Sequence, residues 1–161
     1  MPVSLPGLER IARAIHGEYL LKARSQGHTI ADNPTMVPWE ELPDHVKRSS
    51  FSQAADIPRK IALIGCEIVP AQDPDLSEEK FSFTRDELEL LSPVEHDRWS
   101  RERLEAGWKY GPVKDISKKL TPYVVPYEEL SEEIKDLDRN AVMKIPVVLE
   151  AAGYVIKRVG Q

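Results

Sequence analysis

The chain has 161 residues, 41% hydrophobic and 30% charged, which suits one domain or two small lobes and excludes a chain that stays disordered throughout. Its only cysteine, Cys66, rules out an internal disulfide framework and a zinc site built from several thiolates, and it points to a reducing, cytoplasmic compartment. The net charge of -5 argues against generic binding to nucleic-acid phosphates, and no apolar run approaches the roughly 20 residues that cross a bilayer, so membrane insertion is not expected.

The opening MPVSLPGLERIARAIHG has no basic segment followed by an apolar one, so no secretory signal is expected. Leu8, Ile11, Ala12, Ile15, Tyr19 and Ala23 recur at helical spacing, and Gly27 is placed to stop that helix. Met36-Val37 reads as a short extended segment entering a turn at Pro38. Trp39 to Leu42 reads as a single helical turn, and about Phe51 to Ile64 as a helix with Pro58 inside it. Cys66 to Val69 is a short strand. The polar, proline-bearing stretch that follows is a linker, about residues 70–82.

Past the linker, Thr84 with Glu87 forms a capping box that starts a helix. Ser92-Pro93-Val94-Glu95 has the form of a second start, so a break is expected there. Gly107 ends the element. Tyr123 to Val125 reads as extended, Tyr127 to Leu130 as a helical turn, and Asp138 to Ala152 as a helix carrying Pro146; at Pro58 and Pro146 either each helix kinks or the proline starts its second half. Tyr154 to Val159 is a last strand, able to pair with the Cys66 strand or with the segments before the proline turns.

These elements occur twice. Asn33 to Gly65 aligns without a gap on Thr121 to Gly153, with Pro34, Val37, Pro38, Glu40, Glu41, Leu42, Lys47, Ile57, Pro58 and Gly65 meeting identical residues. Upstream, at a smaller offset, Leu8, Glu9, His16 and Gly27 meet Leu88, Glu89, His96 and Gly107. Trp39 meets Tyr127, and Tyr19 meets Trp99. The first half runs over about 8–69 and the second over about 83–159. Each is marginal as an independent core, so the expectation is a single two-lobed domain in which the copies pack as a pseudo-twofold pair.

The second copy reads WSRERLEAGWKYGP from Trp99, then Asp115, Lys118, Lys119, Pro122, Val125-Pro126-Tyr127-Glu128-Glu129-Leu130, Lys135, Asp138 and Arg139. This combination resembles the ryanodine receptor repeat, or RyR domain, and covers nearly all of the second copy. The first copy is a weaker version that keeps VPWEEL and lacks the GW-x-YG turn. Thr121 stands where the family often has His. The resemblance implies a mainly α-helical fold with a few short strands, built from two similar halves. It also implies a cytosolic module, not a channel pore; in stand-alone prokaryotic or phage chains the domain has been proposed to sense nucleotide-derived signals.

Weighed as chemistry, His16 and His96 are either ligand donors or structural histidines that pin loops. Trp39 and Tyr127, at matched positions, are either stacking surfaces or core. Trp108 and Tyr110 lie in a loop that only the second copy has. With Arg98, Lys118, Lys119 and Arg139 they would suit a phosphate or carboxylate, unless the interleaved Glu95, Asp97, Glu102 and Glu105 pair with those cations along the helix. No GxSxG, P-loop, GxGxxG or HExxH pattern occurs, so no catalytic residue, metal or cofactor is expected. The expected function is a non-catalytic module that binds a small anionic or nucleotide-like ligand in a groove between its halves. The alternative is a protein-interaction module whose acidic turns, with Glu40 and Glu128, meet a protein partner. The sequence sets no oligomeric state.

Overall fold

A computed structural model describes residues 3–73 and 80–159; residues 74–79 of the expected linker lie outside the described residues. The fold is mainly α-helical with a few short strands. The chain divides into two compact units, one formed by Met1–Phe81 with Ile145–Gln161 and the other by Ser82–Lys144.

In the first unit, helix α1 spans Leu5–Ser25. Ser4 caps its start by accepting from the Gly7 N–H, and Lys22 and Arg24 in the last turn complement the negative end of the helix dipole. Its buried stripe of Ile11, Ala12, His16 and Ala23 packs on helix α2, Asp44–Leu63, whose inner face is Ala54, Ile57 and Ile61. Burying each such isoleucine contributes about 1.5–3 kcal/mol. Pro58 lies inside α2. Strand β1, Cys66–Pro70, follows at Gly65.

The second unit opens on helix α3, Arg85–Glu105. Its capping box is formed as the sequence predicts: Thr84 N–H donates to Glu87 Oε1 at 2.9 Å and Glu87 N–H donates to Thr84 Oγ1 at 3.1 Å. The expected break at Ser92-Pro93 is absent. Ser92 does not act as a cap; its Oγ donates back to the Leu88 carbonyl at 2.7 Å inside the helix, and α3 runs on past Pro93, whose missing N–H takes the helical donor from the Glu89 carbonyl. Strand β2, Lys109–Tyr110, pairs in parallel with β3, Leu120–Thr121, a pairing too short to show as periodicity. Helix α4, Glu132–Met143, capped by Ser131, packs on α3.

The closing helix of the second copy divides at its proline into two, the second of the two expected outcomes. The ladder stops at Lys144, two residues before Pro146, which cannot donate to the carbonyl four residues back. Helix α5, Ile145–Ala151, and strand β4, Tyr154–Arg158, then belong to the first unit. Gly65 and Gly153 both take left-handed φ values, 71° and 89°, at the step from helix to strand. There β4 pairs with β1 antiparallel, and the register places Ile68 opposite Ile156, a pair of repeat-equivalent residues. Met36-Val37 and Tyr123 to Val125, expected to be extended, form no strand because no partner strand lies beside them in the sheets described.

Two glycines give opposite expectations. A Cβ on Gly17, inside α1, meets nothing within 4 Å, so Gly17→Ala stabilises by up to about 1 kcal/mol through helix propensity. A Cβ on Gly111 lies 2.9 Å from the Leu120 Cβ, an atom that cannot swing aside, so Gly111→Ala destabilises by about 1–3 kcal/mol. Urea denaturation of the two variants checks both signs.

Candidate functional site

Each unit holds the same constellation between its first helix and its proline turn. In the first unit, His16 on α1 is 5% exposed and its Nε2 lies 2.6 Å from the Val37 carbonyl oxygen. Its ring stacks on Tyr19 at 5.8 Å and stands 6.4 Å from Trp39. In the second unit, His96 on α3 is 2% exposed with Nε2 2.7 Å from the Val125 carbonyl oxygen. It stacks on Trp99 at 5.7 Å and stands 6.3 Å from Tyr127. Lys47 and Lys135, also equivalent, place their Nζ atoms 5.9 Å and 5.2 Å from the centres of the Trp39 and Tyr127 rings. Trp39 and Tyr127 are both buried, and burial pushes the Tyr127 phenol above its ordinary pKa. His16, His96, Trp39 and Tyr127 therefore sit inside the packed part of each unit.

The second unit adds a charge that the first lacks. Asp138 on α4 lies with Oδ2 3.0 Å from His96 Nδ1, and its position in the first copy is held by Ser50. Both ring nitrogens of His96 thus face acceptors, the Val125 carbonyl and the Asp138 carboxylate. Only the imidazolium donates to both. Burial opposes that charge, but the hydrogen bonds to Asp138 and Val125 outweigh it, and the pKa of His96 stands above the ordinary 6.5. The sequence reading placed Asp138 at a helix start; His96 and Asp138 are 42 positions apart, and no local pattern joins them.

The cations divide into two groups. Arg98 is held by both oxygens of Glu95, at 2.9 Å each, with Glu102 at 3.6 Å. Arg139 is ringed by Glu89 at 2.8 Å, Glu132 at 2.9 Å and Asp136 at 3.0 Å, which hold its guanidinium far above its usual pKa. Both arginines are neutralised within their own unit. Lys118 is exposed on the loop between β2 and β3, with Lys114, and Lys109 is exposed in β2. Lys119 is on the same loop with a positive φ of 55°, and its Nζ donates to the Ala106 carbonyl at 2.8 Å, capping the end of α3.

Trp108 is half-buried, because the Arg103 guanidinium lies between its ring and that of Trp99, 5.8 Å and 5.5 Å from the two ring centres. Tyr110 is 58% exposed. The structure therefore places Trp108, Tyr110, Lys118 and Lys119 in the segment made of β2, β3 and the residues around them, and keeps Arg98, Arg139, His96 and Tyr127 in the packed interior of the same unit or in its ion pairs. Among the described residues no three His, Cys, Asp or Glu side chains gather in a way that could hold a metal ion.

The family model of the RyR domain matches residues 78–158, half of the chain. The chain belongs to the RyR domain family. The match takes in the second copy with its GW-x-YG turn, the VPY turn and strand β4.

The protonation of His96 gives a signed expectation. Its stabilising contribution is complete below 6.5, the unfolded value, and is lost as pH rises through the higher folded value. Asp138→Asn lowers the His96 pKa and flattens the fall in stability above 6.5. Proton NMR titration of the imidazole Cε1–H, with urea unfolding at several pH values, reads both; a His96 titration unchanged in Asp138→Asn refutes the ion pair.

Proposed function

We propose that the protein is a non-catalytic binding module that recognises a small anionic ligand, of the nucleotide-derived class, through the loop of its second unit that carries Trp108, Tyr110, Lys118 and Lys119. One observation carries the reading. This stretch carries exposed aromatic surface, Tyr110, together with exposed lysines, whereas Arg98 and Arg139 already have carboxylates of their own. Tyr110 offers a face for a flat base, and Lys118 with Lys109 offers charge to a phosphate. Lys119 contributes charge while it holds the end of α3.

The protein-docking alternative uses the acidic turns, and it has less behind it. Arg13 takes Glu40 at 2.7 Å and holds its carboxyl below the usual range, so one of the two matched acids is occupied within its own unit.

Calorimetry of the intact chain against mono-, di- and cyclic nucleotides tests the reading. Binding of at least one is expected, weakened about tenfold by Tyr110→Ala through loss of stacking. Lys118→Glu reduces it further and makes it less sensitive to salt. No heat and no thermal shift with any of them, on a folded sample, overturns it.

A further inference from the structure

The apex of the same loop carries residues that ligand stacking does not use. Val113 is 75% exposed and Ile116 is 71% exposed, two apolar side chains within one short excursion between β2 and β3, and Tyr110 of β2 stands at its base. The excursion is built, not slack: Asp115 pairs with Leu120 through an isolated bridge, and Lys119 N–H donates to the Ile116 carbonyl at 3.2 Å. Four lysines, Lys109, Lys114, Lys118 and Lys119, stand among these residues, and Asp115 is the only carboxylate between Ala106 and Tyr127. The Asp115 carboxylate is turned into the loop, accepting from Ser117 Oγ at 2.6 Å and from the Lys118 N–H at 3.2 Å.

We propose that this apex docks the chain on an anionic membrane surface, Val113 and Ile116 entering the headgroup layer while Lys109, Lys114 and Lys118 meet the lipid phosphates and carboxylates. Aliphatic tips flanked by lysines, with a tyrosine at their base, match what an interfacial segment needs: apolar area to bury, mobile point charges for a diffuse negative layer, and an amphipathic ring at headgroup level. An acidic protein groove would be met better by arginine, whose planar fork grips a carboxylate in two places. The two arginines nearest in sequence that could serve, Arg101 and Arg103, lie on α3 before the excursion begins. The net charge of -5 does not forbid the approach, because charges beyond about 8 Å are largely screened at physiological salt and the local balance is basic.

The test is flotation of the intact chain with phosphatidylcholine vesicles, with and without phosphatidylserine, at low and at raised salt. Expected is binding to the phosphatidylserine vesicles alone. It falls at least about tenfold in Val113→Ser/Ile116→Ser and in Lys114→Glu/Lys118→Glu, and it is weakened by salt. Both substituted pairs are solvent-facing, and an unchanged unfolding transition shows that the variants are folded. The serine pair keeps any nucleotide heat seen in calorimetry, so failure here and failure of the ligand reading are told apart. No binding at low salt, equal binding to pure phosphatidylcholine, or full binding by the serine pair overturns the proposal. So does polyglutamate capturing the protein while vesicles do not, an outcome that assigns the loop to an acidic protein.

Discussion

A buried histidine that donates to the carbonyl before a proline is the contact on which each half of this protein is arranged. Pro38 and Pro126 start the 3-10 turns WEE and YEE, and the carbonyls of Val37 and Val125 just before them point into the protein. A carbonyl turned inward needs a donor, or it costs the full desolvation penalty. The backbone of the turn is already committed: Glu41 and Glu129 donate to Pro38 and Pro126, and Leu42 and Leu130 donate to Trp39 and Tyr127. The donor therefore comes from the first helix, as His16 or His96. Once it is placed, the ring fixes where Tyr19 or Trp99 stacks and where Trp39 or Tyr127 fills the space beside it.

On this shared plan the second copy has diverged by addition. Asp138 adds to the histidine a carboxylate contact, 3.0 Å from Nδ1, that ties α3 to α4. The longer loop after Gly107 adds the two short strands, the Arg103 sandwich between Trp99 and Trp108, and an exposed run of lysines and apolar side chains. The first copy reaches its proline turn without that excursion. The proposed recognition and the proposed membrane contact both fall on the added segment, and the inherited residues do the packing.

Much of this was legible in the chain. The gapless repeat predicted which residues occupy equivalent places, and the equivalence of His16 with His96 and of Trp39 with Tyr127 holds to within a few tenths of an ångström in the contacts they make. Helical periodicity and the capping box located α1 and α3. What misled was local chemistry with two uses. Ser92-Pro93-Val94-Glu95 has the residues of a helix start, yet the serine hydroxyl bonds backward and the helix passes through. The roles of Arg98 and Arg139 were half visible: the interleaved acids on α3 announced the Glu95 and Glu102 pairs, but Glu89 reaches Arg139 across fifty positions of sequence. Two-residue strands such as β2 and β3 leave no period to detect.

The second unit is one uninterrupted stretch of chain, while the first is closed by α5 and β4, which follow the second unit in sequence. During synthesis on the ribosome, therefore, the second unit has all of its segments before the first unit does. The first unit must wait, with the edge of β1 unpaired, until β4 emerges to lie beside it.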